Sequence, residues 1–202
     1  MTRIDLTTAP STLLTARLRL EIPRAEHAAA FCEGVAASMP ALTYVAWSLR
    51  LRDLAWSLRF CEDDARSAAA GEDLAFHVFE TGGGGWVGRI DVHTIDFTAA
   101  RGEIGYVGNS RHAGRGLMRE AVLAVIDLCF RLGFERVEAM SDARNARALH
   151  FADSLGVMAR EGLLRRHERD PQGEFCDMVL YAALNPGTEA ASSASETGCP
   201  PR

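Results

Sequence analysis

The segment from residue 102 to residue 133 constrains the fold more than any other part of this chain. Residues 102–109 (GEIGYVGN) have the pattern of a strand, and the RHAGRG that follows is a turn rich in glycine and in hydrogen-bond donors. Residues 117–132 carry apolar side chains at helical spacing, and Gly133 ends that helix. The sequence therefore predicts a strand, a tight turn and an amphipathic helix in direct succession.

The rest of the chain alternates between predicted strands and helices. Strands are indicated at residues 13–22, 74–80, 86–95, 134–140, 159–168 and 175–184, and helices at 24–38, within 44–70 and at 145–155. Glycines 82–85 join two of the strands, and since no helix follows them we interpret them as a hairpin turn and not as a phosphate-binding loop. This order predicts an α/β fold with a mixed, mostly antiparallel central sheet of about seven strands, flanked by helices.

The length and apolar content of the chain fit a single domain. With 202 residues, 48% of them hydrophobic, the chain can bury a core of its own. We place the domain at residues 13–184, after a flexible N-terminus of residues 1–12. The segment 185–202 holds no large apolar residue, so we predict that it is a disordered tail.

The basic residues exclude several classes of function. All 22 of them are arginines, because the sequence contains no lysine. Such a chain cannot form a Schiff base through a side chain, and it cannot supply the lysine of a nucleotide-hydrolase phosphate loop. A formal net charge of -5 argues against nucleic acid and anionic membranes as partners, since both select a basic surface.

The cysteines and the chain ends bear on the compartment. Five cysteines, widely spaced and without a CxxC pair, predict neither a zinc site nor a disulfide framework. No spacing of histidines and carboxylates suggests another metal site, so we expect no metal. We find no secretory signal and no uncharged apolar run of about 18 residues, and we therefore expect a cytoplasmic protein.

The turn before the predicted helix can bind an anion. It reads Arg111-His112-Ala113-Gly114-Arg115-Gly116-Leu117. Its glycines allow the backbone to approach a ligand closely, and the helix start presents unpaired N–H groups and a positive dipole end. A pyrophosphate would fit in charge and size, although an ordinary glycine turn explains the same residues. A dinucleotide fingerprint is disfavoured because Arg119 stands at its third glycine position.

The same turn carries a resemblance to a known family. Arg111-x-x-Gly114-x-Gly116 resembles the acetyl-coenzyme A signature, R/Q-x-x-G-x-G/A, of the Gcn5-related N-acetyltransferases (GNAT). Further segments resemble the RimJ/RimL-type branch, which acetylates the N-termini of ribosomal proteins. They are TARLRL at 15–20, EIGY at 103–106, Met118-x-Glu120-Ala121, Asn145 and Glu161-Gly162-x-x-Arg165. Together they cover residues 13–184 in the order of the family.

The resemblance implies a GNAT-like fold and direct transfer of acetyl from acetyl-coenzyme A (acetyl-CoA) to an amine, without an acyl-enzyme. It implies that the cosubstrate is held by Tyr106, Val107, Gly108, Arg111, His112, Gly114, Arg115, Gly116, Leu117, Met118, Asn145 and Phe151. A backbone N–H of strand 104–108 would polarise the thioester carbonyl. We expect Gly108 to let this strand bend away from its neighbour and open a slot for the pantetheine arm. Asn145 suits the pantetheine arm, and it suits a helix N-cap as well.

Two glutamates compete for the role of general base. Glu168 matches a glutamate that is assigned as the base in the ribosomal-protein branch, and Glu103 lies on the strand that leads into the expected slot. Either can act if burial raises its pKa toward neutrality, and either can equally be a solvated strand charge. His93, His150 and His167 are possible relays.

The general acid has no candidate in the sequence. Many acetyltransferases carry a Tyr six residues after the Asn, and this chain has Phe151 there. The ribosomal-protein branch often has a Ser three residues after the Asn, and this chain has Ala148. A water molecule or a backbone donor therefore remains as the proton source.

The identity of the acceptor is left open between three hypotheses. The first is an N-acetyltransferase for the α-amine of a protein or peptide, and the second acetylates a small amine such as a polyamine or an aminoglycoside. The third is an acyl-CoA-binding module without turnover, which the missing acid suggests. Segment 40–65 should supply the acceptor wall, where Trp47 and Trp56 are either core anchors or pocket lining, and the chain is a monomer or a homodimer.

Overall fold

The computed structural model describes residues 4–45 and 53–187. The strands are β1 (Thr12–Leu14), β2 (Leu18–Glu21), β3 (Leu74–Glu80), β4 (Trp86–Asp96), β5 (Arg101–Gly108), β6 (Arg136–Asp142), β7 (Ala159–Arg169) and β8 (Phe175–Leu184). The α-helices are α1 (Ala28–Ser38), α2 (Leu54–Ala70), α3 (Leu117–Arg131) and α4 (Ala146–Leu155). The predicted α/β class with a mixed, mostly antiparallel sheet is confirmed.

The sheet has eight strands in the order β1-β2-β3-β4-β5-β6-β8-β7. All neighbours are antiparallel except β5 and β6, which are parallel. The strand predicted at residues 13–22 is in fact two, because a turn between Leu14 and Leu18 folds β1 back against β2. In that turn the Thr15 N–H donates to the Leu18 carbonyl at 3.0 Å.

Strands β5 and β6 separate soon after they meet. Their pairing joins residues 101–103 to residues 136–138 and stops there, whereas β5 stays paired with β4 as far as Gly108. Among the described residues, those at 104–108 therefore have no strand partner on the β6 side. A wedge opens at this point in the middle of the sheet, and we call it the β5–β6 wedge.

The helices cover opposite faces of the sheet. Helices α3 and α4 pack on the face that carries Ile104, which we call the α3 face, and they share the larger apolar cluster. Helices α1 and α2 cover the other face, the α2 face, where Phe31, Trp86 and Val107 form a second cluster. Since side chains alternate along a strand, Glu103 and Gly105 of β5 lie on the α2 face with Val107.

The chain ends differ in part from the expectation. In place of a flexible segment over residues 1–12, the described part from residue 4 onward is packed on the fold, because Ile4 and Leu6 find apolar partners and are each 3% exposed. Asn185 is bonded to the domain, since its N–H donates to the Glu135 carbonyl at 3.0 Å. The remainder of the predicted tail, residues 188–202, lies outside the described residues, as does Trp47.

None of the described helices has the length and apolar character that a membrane span requires. Cys61, Cys129 and Cys176 are buried, and within the described part of the chain none of them forms a disulfide.

Candidate functional site

The β5–β6 wedge leads directly to the glycine-rich turn. Strand β5 ends at Gly108, a short 3-10 turn follows at Ser110–His112, and α3 begins at Leu117. Gly114 and Gly116 have φ angles of 76° and 71°, in the left-handed region that favours glycine. Gly116 is the N-cap residue and no side chain caps the helix, so the first N–H groups of α3 point toward the turn without an intrahelical acceptor.

Two polar residues fix the start of this turn. Asn109 is 7% exposed; its side-chain amide donates to the Trp86 carbonyl at 2.8 Å, and its oxygen accepts from the Arg111 N–H at 3.0 Å. The hydroxyl of Ser38, at the end of α1, accepts from the Ser110 N–H at 2.9 Å. Neither residue was singled out from the sequence, although an Asn just before a turn is a recognisable signal.

The arginines of the turn are bonded to carboxylates. The two terminal nitrogens of Arg115 donate to the two carboxylate oxygens of Glu80, at 2.9 and 2.5 Å. Arg111 forms an ion pair with Glu33. The hydrogen bonds from Arg115 hold the pKa of Glu80 below its ordinary value. His112 lies 3.2 Å from an Arg115 nitrogen. Within the described residues, the N–H groups of residues 114–118 are therefore the donors left for a ligand, since those of residues 110–113 already have acceptors.

The side chain of Met118 occupies the space beside two glycines on the neighbouring strands, where a larger residue would not fit. A Cβ at Gly88 would lie 2.4 Å from the Met118 sulfur, and one at Gly108 would lie 3.1 Å from its Cγ. The proposed role of Gly108 in bending the strand is wrong, since β5 leaves β6 after Glu103, five residues earlier. Gly108 instead allows α3 to approach the sheet closely, which brings the helix N-terminus beside the wedge.

Asn145 and Phe151 lie on α4. The Asn145 side-chain oxygen caps this helix by accepting from the Ala148 N–H at 3.1 Å. The N-cap role is thus observed, and it leaves the two amide hydrogens of Asn145 for another acceptor. The Phe151 ring packs against Tyr106 of β5, with ring centroids 4.9 Å apart. Burial raises the pKa of the Tyr106 hydroxyl to about 12.

The two candidate bases have different surroundings. Glu103 is half-buried, between His93 on β4 and Glu138 on β6. Burial raises the pKa of Glu103; His93 opposes this, and the charges of Glu168, Glu138 and Asp91 add to it. Glu168 is exposed, at an irregularity in the pairing of β7 with β8. Glu168 nevertheless lies near enough for its charge to contribute to the raised pKa of Glu103.

The other residues predicted for the site are dispersed. His93 neighbours Glu103, whereas His150 and His167 are exposed. Trp56 belongs to the α2-face cluster, with its ring 4.7 Å from that of Phe60, and is therefore a core anchor.

A buried ion cluster on the α2 face was missed in the sequence. Arg89 of β4, 8% exposed, bonds Asp64 of α2 at 3.0 and 2.9 Å and also bonds Asp91 of its own strand. Arg89, Asp91 and His93 alternate along one strand, so the period-two pattern could have placed all three on one face. In the ranges 4–45 and 53–187, no group of three or more His, Cys, Asp or Glu side chains is arranged to hold a metal ion.

Comparisons with known proteins agree with this architecture. The sequence model of the acetyltransferase (GNAT) domain family matches residues 17–158. The uncharacterized N-acetyltransferase p20 of Bacillus licheniformis is 33% identical over 99 residues, which are 48% of this chain and 54% of that protein. This chain thus spans about half the length of that curated relative.

Two solved structures share the fold. The microcin C7 self-immunity acetyltransferase MccE, in complex with acetyl-CoA and AMP, has a TM-score of 0.79 at 18% identity over 89% of this chain and 99% of that one. RimL, a ribosomal L7/L12 alpha-N-protein acetyltransferase in complex with coenzyme A, has a TM-score of 0.76 at 17% identity over 85% and 96% of the two chains.

Proposed function

The chain belongs to the GNAT acetyltransferase family, and on that premise we propose that it is an acetyl-CoA-dependent N-acetyltransferase for the α-amine of a protein or peptide. One observation carries the proposal. The unpaired edge of β5 at residues 104–108 leads to the turn of residues 109–116, which ends at the uncapped N-terminus of α3. These two sets of backbone groups define a line suited to an extended pantetheine arm that ends in a pyrophosphate.

The cosubstrate would lie along that line. The pyrophosphate accepts hydrogen bonds from the N–H groups of residues 114–118, where the dipole of α3 favours negative charge. The pantetheine arm pairs with the free edge of β5, and the amide hydrogens of Asn145 donate to it. A backbone N–H group of β5 next to Val107 donates a hydrogen bond to the thioester carbonyl. This bond stabilises the negative charge that the carbonyl oxygen gains during the reaction.

Glu103 serves as the general base in this proposal. Its carboxylate lies on the α2 face of β5, opposite the face on which α3 packs, so the amine reaches the thioester from the α2 face. A raised pKa makes a carboxylate a stronger base near neutral pH, and Glu103 has one whereas Glu168 is exposed. Glu168 contributes by adding negative charge near Glu103.

Tyr106 replaces the missing proton donor. Its ring lies against Phe151, the position at which related enzymes carry the acidic Tyr, and its raised pKa keeps the phenol protonated. In the reaction the amine nitrogen forms a bond to the acetyl carbon and the carbon–sulfur bond breaks. Glu103 takes the proton from the amine, the departing thiolate takes one from Tyr106, and the proton on Glu103 returns through solvent to the Tyr106 phenolate, so that both groups are restored.

An α-amine is the acceptor that demands least of this site. Its pKa of about 7.7–8.0 leaves an appreciable free-base fraction near neutral pH, so a single carboxylate suffices as the base. The likeness in fold to RimL supports a protein N-terminus as acceptor. A small polyamine is the second candidate, because Asp91 and Glu168 lie near Glu103 and would attract further positive charge.

Thiol release from acetyl-CoA tests the proposal. The acceptors are heptapeptides that begin with Ser, Ala or Met, the same peptides with a formylated N-terminus, spermidine and kanamycin. We expect turnover with free-amine peptides and none with the formylated ones. Turnover with spermidine or kanamycin alone would assign the small-amine activity. Tight coenzyme A binding without turnover on any acceptor would leave only the binding module.

A further inference from the structure

The ion cluster around Arg89 holds the carboxylate of Asp91 in a fixed position. The Arg89 guanidinium is 8% exposed and lies 4.9 Å from the Phe60 ring centroid. Its Nε and one terminal nitrogen hold both oxygens of Asp64, and its other terminal nitrogen holds one oxygen of Asp91. Helix α2 and strand β4 are thereby tied together, and Asp91 has one oxygen outside this contact.

Core stability alone does not explain this ion cluster. Removing three charges from water carries a desolvation penalty that their mutual attraction only partly offsets. Well-packed apolar side chains in the same places often stabilise a core as well as such an ion cluster does. Two carboxylates and one guanidinium also leave one net negative charge. That excess lies toward Asp91, which is 22% exposed, rather than toward Asp64, which is 15% exposed.

Asp91 reaches over the strand that borders the wedge. Asp91 and Gly105 are directly opposed in the β4–β5 pairing, and a Cβ at Gly105 would lie 3.2 Å from both carboxylate oxygens. The Asp91 carboxylate therefore fills the place of the side chain that Gly105 lacks. Gly105 is two residues beyond Glu103 on the same face, at the point where β5 has lost its β6 partner.

Asp91 and Glu103 thus lie on the same face of the sheet, in neighbouring positions on β4 and β5, beside the opening of the β5–β6 wedge. His93 lies between them, with its Nε2 3.6 Å from the second oxygen of Asp91 and its backbone paired with Glu103. Glu138 of β6 and Glu168 of β7 are the other charged groups that act on Glu103. An ammonium group at this opening would meet the fixed carboxylate of Asp91 beside the proton acceptor.

We infer that Asp91 binds the ammonium form of the acceptor, and that Arg89 is the positioning residue that fixes this carboxylate beside Glu103. The inference rests on the proposed acetyl transfer. Asp91 holds the ammonium over Gly105 until it gives one proton to water, and Glu103 then takes the proton that the nitrogen loses as the amide bond forms, so recognition and deprotonation fall to different carboxylates. Asp64 fixes the far side of the guanidinium and makes no contact with the acceptor.

Asp91→Asn and Asp64→Asn are the matched pair of variants that test this assignment. Both remove one carboxylate charge from the same arginine, but only Asp91 faces Glu103. With a heptapeptide that begins with Ser, Asp91→Asn should raise the peptide KM about tenfold, the effect of losing one charged hydrogen bond, and leave the acetyl-CoA KM unchanged. Asp64→Asn should raise the peptide KM clearly less, by about twofold to threefold, because the Asn oxygen still accepts from Arg89 and the Asp91 carboxylate is retained. Equal effects of the two variants would overturn the inference.

A second measurement does not depend on turnover. With ¹³C-labelled glutamate, the carboxyl resonance of Glu103 is assigned by its loss in Glu103→Gln and is titrated with pH. Asp91→Asn should lower the pKa of Glu103 by about half to one pH unit, because a nearby like charge is removed. An unchanged titration would overturn the placement of Asp91, even if the peptide KM rises. Absence of turnover in the unmodified protein would instead reject the proposed function, and the titration would still decide where Asp91 acts.

Discussion

Gly114→Val is the sharpest test of the proposal that the turn of residues 111–117 binds the pyrophosphate of acetyl-CoA. A Cβ at Gly114 would find no atom within 4 Å, so the new side chain meets open space, but the φ of +76° is one that a β-branched residue tolerates poorly. The left-handed conformation costs an L-residue about 1–2 kcal/mol. The turn can relieve this strain by rotating its peptide planes, and that rotation turns the N–H groups away from the pyrophosphate.

The expected loss follows from that cost. Since about 1.4 kcal/mol corresponds to a factor of ten in affinity, coenzyme A should bind Gly114→Val at least about fivefold to thirtyfold more weakly. Isothermal titration calorimetry with coenzyme A measures the affinity, and thermal unfolding shows that the fold is retained. The melting temperature should fall by about 2–8 °C.

Gly173→Val is the matched control. Gly173 also has a left-handed φ, +88°, and open space around its Cβ position, but it lies in the turn between β7 and β8. This variant should lose similar stability and keep the coenzyme A affinity. Unchanged affinity in Gly114→Val, or equal loss in the two variants, would refute the assignment of the turn.

Three further predictions concern the proposed chemistry and the core beneath it. Glu103→Gln should lower kcat by about 10²–10⁴-fold without changing coenzyme A affinity. Glu168→Gln should mainly move the acidic limb of the pH–rate profile to lower pH. A large loss of kcat in Glu168→Gln, with only a shifted pH profile in Glu103→Gln, would make Glu168 the base. Tyr106→Phe should lower kcat, and adding Phe151→Tyr should restore part of it; full activity in Tyr106→Phe would exclude the phenol as donor. In the part of the chain that the structure describes, neither ring nitrogen of the buried His77 has a hydrogen-bond partner, and burial, followed by the Arg89 charge, lowers its pKa. Because the folded-state pKa of His77 lies below the ordinary 6.5, its contribution to the free energy of unfolding should be full above pH 6.5 and should fall by up to about 1.4 kcal/mol per pH unit below it. Denaturant unfolding at a series of pH values measures this fall. The same dependence on pH in a His77→Phe variant would contradict the prediction.

Much of the local structure followed from residue patterns. The predicted strands at 74–80 and 175–184 have the observed bounds, because each is a short, mainly apolar run with turn residues at both ends. The helix predicted at 117–132 ends one residue earlier. The glycine-rich turn before α3 could also be predicted, since its two glycines and the helix that follows lie within about ten residues of chain.

Pairings between distant segments could not be predicted in this way. The sequence contains no signal that β5 leaves β6 after Glu103, so the divergence was misplaced at Gly108. The distinction between Glu103 and Glu168 was equally hidden, because it depends on burial and on charges from three other strands.

The sequence by itself determined most of the elements, the family and the glycine-rich turn before α3, all of which depend on patterns among near neighbours in the chain. Only the tertiary structure decided that Arg89 joins Asp64 to Asp91 and that Asp91 covers Gly105. The reason is physical. The free energy of a buried charge, and the pKa of a carboxyl near it, depend on distances and desolvation across segments that the folding of the sheet brings together.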